Sequence, residues 1–385
     1  MHEALDQIPI HRTTMSTTMT QRIVRPTAFA GTLLSRSNRS TFAKRSLLSR
    51  SIHIFRDVPP LRSHRRELLL NGSTVGLVPT MGALHKGHIS LVRQAAEENS
   101  HVFVTVYVNP TQFGVNEDLD SYPKTWDSDL AQLKELDEEL ENAGKGRIEA
   151  VFAPTTKTMY PTLPPDSTLP GTGSFVTITP LANLLEGKSR PVFFRGVATV
   201  CTKLFNIVEP ERVYFGQKDV QQSVIIKRMV QDLHMNTQVR IGPTEREKDG
   251  LAMSSRNVYL GERRRKTGIV LSVALGAARA AYKMGKTERD DILALSWDVT
   301  NMMNIKQDEL PETEQAQFEV DYISLADPDT LEEVERVDRK KGAILSAAIK
   351  MLPLEATKEG EKLGLGDDKM PVRLIDNLIL EPSEL

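Results

Sequence analysis

The sequence predicts an α/β chain, with a parallel β-sheet covered by helices over residues 51–244 and a smaller α+β domain over residues 245–385. Three observations predict it. From about Ser51, short apolar runs alternate with helical patterns, the signature of parallel strands joined by crossover helices. Two of those runs pass through a glycine turn straight into a helical pattern, at Val75–His88 and at Val213–Gln222. After about Pro243 the order changes to two helical stretches followed by strand-like ones.

The first 50 residues stand outside this pattern. No acidic residue occurs between Asp6 and Asp57, while Arg12, Arg22, Arg25, Arg36, Arg39, Lys44, Arg45 and Arg50 alternate with Ser and Thr. Such an Arg-rich, acid-poor leader suits mitochondrial import, with a cytoplasmic location as the alternative. A disordered tail, or a start at Met15 or Met19, would read the same way.

The expected strands are Val75–Val78, Val102–Val108, Ala150–Ala153, Phe175–Ile178, Val213–Phe215 and Val239–Ile241. Expected helices are His88–Asn99, Trp126–Asn142, Gly196–Val208 and Lys218–Leu233. Tyr160–Gly173, with four prolines, and the polar Lys358–Met370 read as loops. In the second domain Glu262–Lys283 and Glu288–Met303 are the expected helices. Phe318–Tyr322, Ala343–Ile349 and Val372–Leu380 would form its sheet. In a parallel sheet ligands bind at the carboxyl ends of the strands. Pro79–His88, Asn109–Gly114 and Gly216–Gln222 are therefore collected on one rim, facing a cleft between the two domains.

Bulk numbers narrow the classes. Of 385 residues 39% are hydrophobic and 26% charged, at a net charge of −2, so no global charge points to nucleic acid or a membrane surface. No apolar run approaches the ~20 residues of a membrane span. The single cysteine, Cys201, excludes an intrachain disulfide, and its apolar helical setting suits a buried thiol.

Four segments carry chemistry. VGLVPTMGALHKGH (Val75–His88) brings a strand end, the glycine turn at Gly82, and His85 and His88 around Gly87 to the start of a helix. Backbone N–H groups and the positive helix end make that point an anion site. This segment resembles the HxGH signature of the Rossmann-like nucleotidyltransferase superfamily, which includes class I aminoacyl-tRNA synthetases. In VYVNPTQF (Val106–Phe113), Gln112 can donate to and accept from a small polar substrate, or Asn109 and Gln112 can simply satisfy the turn. In VYFGQKDVQQ (Val213–Gln222), Gly216 admits close approach of a ligand and Lys218 can meet phosphate. Asp219 suits either a helix cap or a Mg²⁺ shared with phosphates, and Gln222 lies one turn on. REKDGLAMSSRN (Arg246–Asn257) offers two hydroxyls and a forked guanidinium to a triphosphate, or a serine-rich turn before a helix.

Together these segments resemble the pantothenate synthetase (pantoate–β-alanine ligase) family. The resemblance rests on PTMGALHKGH (Pro79–His88), VNPTQFGVNEDLDSYPKT (Val108–Thr125), FRGVATVCTKLFNIVEPERVYFGQKDVQQ (Phe194–Gln222), REKDGLAMSSRNVYL (Arg246–Leu260) and RLIDN (Arg373–Asn377). It covers roughly residues 52–385 and points to a fungal-type member with an N-terminal extension. It implies an ATP site made by Met81, Gly82, His85, Gly87, His88, Gly216, Gln217, Lys218, Asp219, Glu245, Met253, Ser254, Ser255 and Arg256. His88, His85, Lys218 and Arg256 would be catalytic, Gln112 and Gln222 would hold pantoate and β-alanine, and Mg²⁺ would accompany ATP. A homodimer is also implied. The family has histidine before FRG, where this chain has Phe193, which weakens Arg195 as a substrate contact.

The implied reaction is that of an AMP-forming carbon–nitrogen ligase. Pantoate carboxylate attacks the α-phosphorus of ATP, pyrophosphate leaves, and the amine of β-alanine attacks the pantoyl adenylate. Rival readings are an HxGH nucleotidyltransferase that leaves the nucleotide on its product, an aminoacyl-tRNA synthetase, and a catalytically silent nucleotide sensor. Gln112 and Gln222 oppose the first, the lack of an evident anticodon-binding region opposes the second, and the intact histidines, Lys218 and Arg256 oppose the third.

Overall fold

Six parallel strands and a separate three-stranded antiparallel sheet make up the computed structural model, which describes residues 51–115, 117–162 and 172–383. The basic leader and most of the proline-rich loop lie outside the described residues. In chain order the first part contains β1 (His53–Phe55), α1 (Val58–Leu70), β2 (Val75–Thr80), α2 (Lys86–Glu98), β3 (His101–Val106), α3 (Trp126–Asn142) and β4 (Arg147–Phe152). It continues through α4 (Thr156–Met159), α5 (Glu186–Ser189), α6 (Phe193–Val208), β5 (Arg212–Gly216), α7 (Val220–Asp232) and β6 (Gln238–Gly242). The second part holds α8 (Glu262–Gly268), α9 (Val270–Lys283), α10 (Arg289–Asp308), β7 (Phe318–Ala326), β8 (Ala343–Met351) and β9 (Val372–Leu380).

The large sheet runs β1-β4-β3-β2-β5-β6, all parallel. Alternation along each strand fills two layers. Leu77, Phe103 and Phe152 share a core with Leu61 of α1, Val197 and Leu204 of α6, and Ile225 and Ile226 of α7. Val78, Val104 and Val151 pack with Leu91 and Val92 of α2 and with Leu133 and Leu136 of α3. From β2 the chain winds outward through β3 to β4, and it later resumes on the other side of β2 with β5 and β6. The β2/β5 junction is thus a topological switch point, where a crevice opens at the strands' carboxyl ends.

The antiparallel sheet β7-β8-β9 buries Leu325, Leu345, Ile349 and Leu374 with Leu271 and Leu275 of α9 and Ile292 of α10. Its strand β9 turns back to the switch point. Arg246 binds Asp376 through two nitrogens at 2.6 and 2.9 Å, and Asn377 Nδ2 donates to the carbonyls of Gln217 and Lys218, both at 2.9 Å.

Three expectations are corrected. Phe175–Ile178 joins no sheet. The Val176 backbone exchanges hydrogen bonds with the Thr199 hydroxyl instead of a strand. The helix expected over Glu262–Lys283 breaks at Ile269, where α8 ends and α9 begins. Lastly, β1 and α1 form in a stretch for which the sequence predicts neither, with α1 opened by Pro59 and Pro60 and seated through Leu61, Arg65 and Leu68.

Candidate active site

At the switch point a cavity of about 210 Å³ is lined by Met81, His85, Gly87 and His88 after β2, and by Asn109 and Gln112 after β3. Gly216, Lys218, Asp219 and Gln222 line it after β5, and Glu245, Met253, Ser254, Ser255 and Arg256 close it from the segment after β6. Of the residues expected there, Gly82 and Gln217 do not line it. Gly82 is buried in the turn (φ +86°), and the Gln217 side chain is directed at Asn377 Oδ1, 3.3 Å away. A neighbouring cavity of about 830 Å³ shares Phe193, Lys218, Asp219, Gln222, Ser254 and Arg256 and extends toward β9.

His85 caps the N-terminus of α2. Its Nδ1 accepts the Gly87 N–H at 3.1 Å, and His88 Nδ1 accepts the His85 N–H at 3.4 Å. These bonds leave each ring proton on Nε2. The rings sit 4.1 Å apart, and a Cβ at residue 87 would lie 2.9 Å from His85 Cε1, so glycine between the histidines is a packing requirement. Burial, then the nearby Lys218, lowers His85 from an ordinary 6.5 to about 4. Burial, then His85 and Lys218, lowers His88 to about 3. Both are neutral near pH 7 and offer N–H donors rather than charges.

Sequence reasoning missed the residue that shapes this turn. Asp129, buried in the first turn of α3, accepts the Ala83 and Leu84 N–H groups at 3.0 and 2.8 Å, while the Thr125 hydroxyl donates to it at 3.0 Å. It holds Ala83 at φ +51°, a conformation unfavourable for alanine. An aspartate in the first turn of a helix was a visible signal, but its partners lie 45 residues away.

Gln112 is buried. Its Oε1 accepts from Asn109 Nδ2 at 3.0 Å and its Nε2 donates to Met81 Sδ at 3.2 Å. Gly196 lets the 109–112 turn lie directly on α6, because a Cβ there would come within 2.4 Å of Thr111 O. Gln222 is half-buried, one turn beyond Lys218, and lines the same cavity. A Cβ at Gly216 would meet nothing of the protein within 4 Å, so the open space above it belongs to a ligand or to solvent.

Arg256 is aimed across the cavity mouth by Asp118, which binds its Nε and Nη2 at 2.9 and 2.8 Å. Ser255 Oγ donates to Ala83 O at 3.1 Å and latches the junction segment onto the turn after β2. Asp118 and the cavity-lining Tyr122 also escaped sequence reasoning, although both lie in the quoted Val108–Thr125 segment. Lys218 Nζ lies 3.4 Å from Asp219 Oδ1, whose side chain is 42% exposed. Phe193 stands where the two cavities meet, with the Arg190 guanidinium 3.8 Å over its ring. Arg195 faces solvent over Phe175 and lines neither cavity. Cys201 is buried in the wall, with its thiol pushed up to about 12 by burial, and is no nucleophile.

Comparison with known proteins gives a consistent picture. The family model described as pantoate-beta-alanine ligase matches residues 53–379. A pantothenate synthetase of Roseiflexus castenholzii is 44% identical over 307 residues, covering 80% of this chain and 92% of the relative. Among solved structures, pantothenate synthetase from Thermus thermophilus superposes with a TM-score of 0.67 at 35% identity, covering 86% of this chain and 100% of that one. The Francisella tularensis pantoate-beta-alanine ligase, complexed with beta-gamma ATP and beta-alanine, gives 0.58 at 29% identity with the same coverage.

Proposed function

The chain belongs to the pantoate-beta-alanine ligase family and joins pantoate to β-alanine to make pantothenate; we propose that it does so through a pantoyl adenylate formed in the switch-point cavity. The observation that carries the residue roles is convergence. Segments separated by up to 175 positions, from Met81 to Arg256, line one small cavity.

A carboxylate is a poor acyl donor because its leaving group would be oxide. Adenylation replaces that leaving group with AMP. Attack on the α-phosphorus of ATP loads charge onto phosphoryl oxygens, and the donors around the cavity are suited to receive it. His88 and His85 supply neutral Nε2–H donors, Lys218 and Arg256 supply charge, and Ser254 and Ser255 supply hydroxyls. Gly216 leaves space for the nucleotide, and Met253 and Glu245 wall it. Gln112, preset by Asn109 and Met81, and Gln222 orient pantoate. The Ser255–Ala83 latch draws the junction segment over the cavity, where a closed site would keep water from hydrolysing the adenylate before the amine arrives.

A divalent metal fits this chemistry. The half-exposed carboxylate of Asp219, beside Lys218, suits Mg²⁺ arriving with the nucleotide, since that ion binds through one or two carboxylates plus phosphates. When bound it would neutralise phosphate charge. The segment after β6, with the antiparallel domain behind it, is the proposed lid over residues 245–385.

The deciding experiment incubates the enzyme with ATP, Mg²⁺ and D-pantoate, with and without β-alanine. Pantoate-dependent pyrophosphate exchange, with AMP and amide formed only when β-alanine is added, is the expected result. ATP binding without either product would sink the reading. Two lesser proposals stand on resemblance and composition: a homodimer, checked by sedimentation, and import directed by residues 1–50, checked by a fluorescent fusion. No helix among the described residues is long and apolar enough to cross a membrane.

A further inference from the structure

At the opposite end of the large sheet from the nucleotide cavity, three side chains from three elements converge. His53 opens β1, His64 lies in α1, and Glu149 lies in β4. His64 Nε2 is 2.8 Å and His53 Nε2 3.9 Å from the same oxygen, Glu149 Oε1, and the three donor atoms lie within 4.8 Å of one another. The two rings are 4.8 Å apart. Bonds of ~2.0–2.2 Å in a tetrahedral zinc site put ligand atoms roughly 3.3–3.5 Å from each other. The observed gaps bracket that separation, so small side-chain rotations would suffice.

The backbone makes a special arrangement for the carboxylate. The register of β3 against β4 slips between Val102 and Phe103, pairing Val102 with Ile148 and Phe103 with Ala150. Glu149 is the extra residue of that bulge, a device that re-aims a side chain. Its Oε2 is 2.9 Å from His101 Nδ1, but off the line of a hydrogen bond, which leaves that buried nitrogen without a partner. Glu149 thus turns Oε2 toward His101 while Oε1 faces the two histidines. His64 is largely buried, and the 48% exposed His53 leaves an entry path and room for a water as fourth ligand.

We propose that His53, His64 and Glu149 form a site for Zn²⁺ or a similar borderline divalent cation. Two imidazoles, one carboxylate and a water are a recognised zinc donor set. Bound metal would staple the short edge strand β1 and the helix α1 to β4, away from the switch-point cavity.

The test uses the full chain, stripped with a chelator, given Zn²⁺ or Co²⁺ near neutral pH and desalted. The expected results are about one retained metal ion more per chain than in His53→Gln, a four-coordinate Co²⁺ visible spectrum, and a melting temperature that rises with Zn²⁺. His53→Gln should weaken binding by about tenfold or more. This variant changes an exposed ring, so its fold is not at stake, and the Co²⁺ spectrum of the unaltered protein needs no variant. The comparison also discounts metal captured by His85 and His88. Equal metal retention and equal melting in the unaltered protein and His53→Gln would overturn the proposal, leaving a metal-free network of histidines around one carboxylate.

Discussion

His85 and His88 carry a pH signature that can be measured without substrate. Their folded values of about 4 and about 3 lie below the ordinary 6.5, so between those limits the unfolded chain binds more protons than the folded one. The stability they contribute is complete above pH 6.5 and is lost as pH falls toward 4 and then 3. Urea midpoints should therefore drop more between about pH 7.5 and 4.5 in the unaltered enzyme than in His88→Gln. The adenylation rate should show no ascending limb from this pair near pH 6.5. Removing one preorganised donor to a charged transition state costs about 10²–10³ in rate, so His88→Ala should lower pantoate-dependent pyrophosphate exchange by that factor while ATP still binds. Arg256→Lys should also fall at least about tenfold, because an ammonium cannot match the two-nitrogen grip of Asp118 that aims the guanidinium.

At the scale of elements, close packing decides where Gln112 sits. Gly196→Ala drives a Cβ to 2.4 Å from Thr111 O and should cost about 1–3 kcal/mol in denaturant unfolding, with a raised KM for pantoate. Asp129→Ala abandons one buried and one part-buried amide and should cost about 1–3 kcal/mol, with kcat/KM falling as the turn after β2 loosens. These placements also show which elements were legible in the sequence. Trp126–Asn142 and Val372–Leu380 form with the expected boundaries, because each has an unbroken period. The α1 stretch hides its period. Its buried stripe is Leu61, Arg65, Leu68, and the middle member is an arginine whose guanidinium donates to Val208 O and Glu209 O and pairs with Glu211. Phe175–Ile178 misleads in the other direction, since its apolar residues pack on α6 without strand pairing. The candidate-site motifs were legible because they sit at strand ends in continuous runs. Asp118, Tyr122 and Asp129 were not, because their partners come from other segments.

Across the whole molecule, the wall of the switch-point cavity is shared between two sheets of different kind. The 216–219 turn after β5 has its carbonyls tied to Asn377 on β9, and Arg246 at the start of the junction segment is tied to Asp376. Asn377→Ala should therefore raise the KM for ATP by about tenfold, which corresponds to about 1.4 kcal/mol, with a smaller effect on pantoate. Steady-state kinetics with each substrate varied in turn would separate the two, and an equal rise in both constants would contradict the arrangement. Order of synthesis gives the same tie another meaning. The ribosome makes the 216–219 turn about 160 residues before Asn377, so a nascent chain can complete its parallel sheet while that turn is still unbraced. The tie from β9 is thus the last brace this turn receives, and a chain that ends before Asn377 leaves the carbonyls of Gln217 and Lys218 without it.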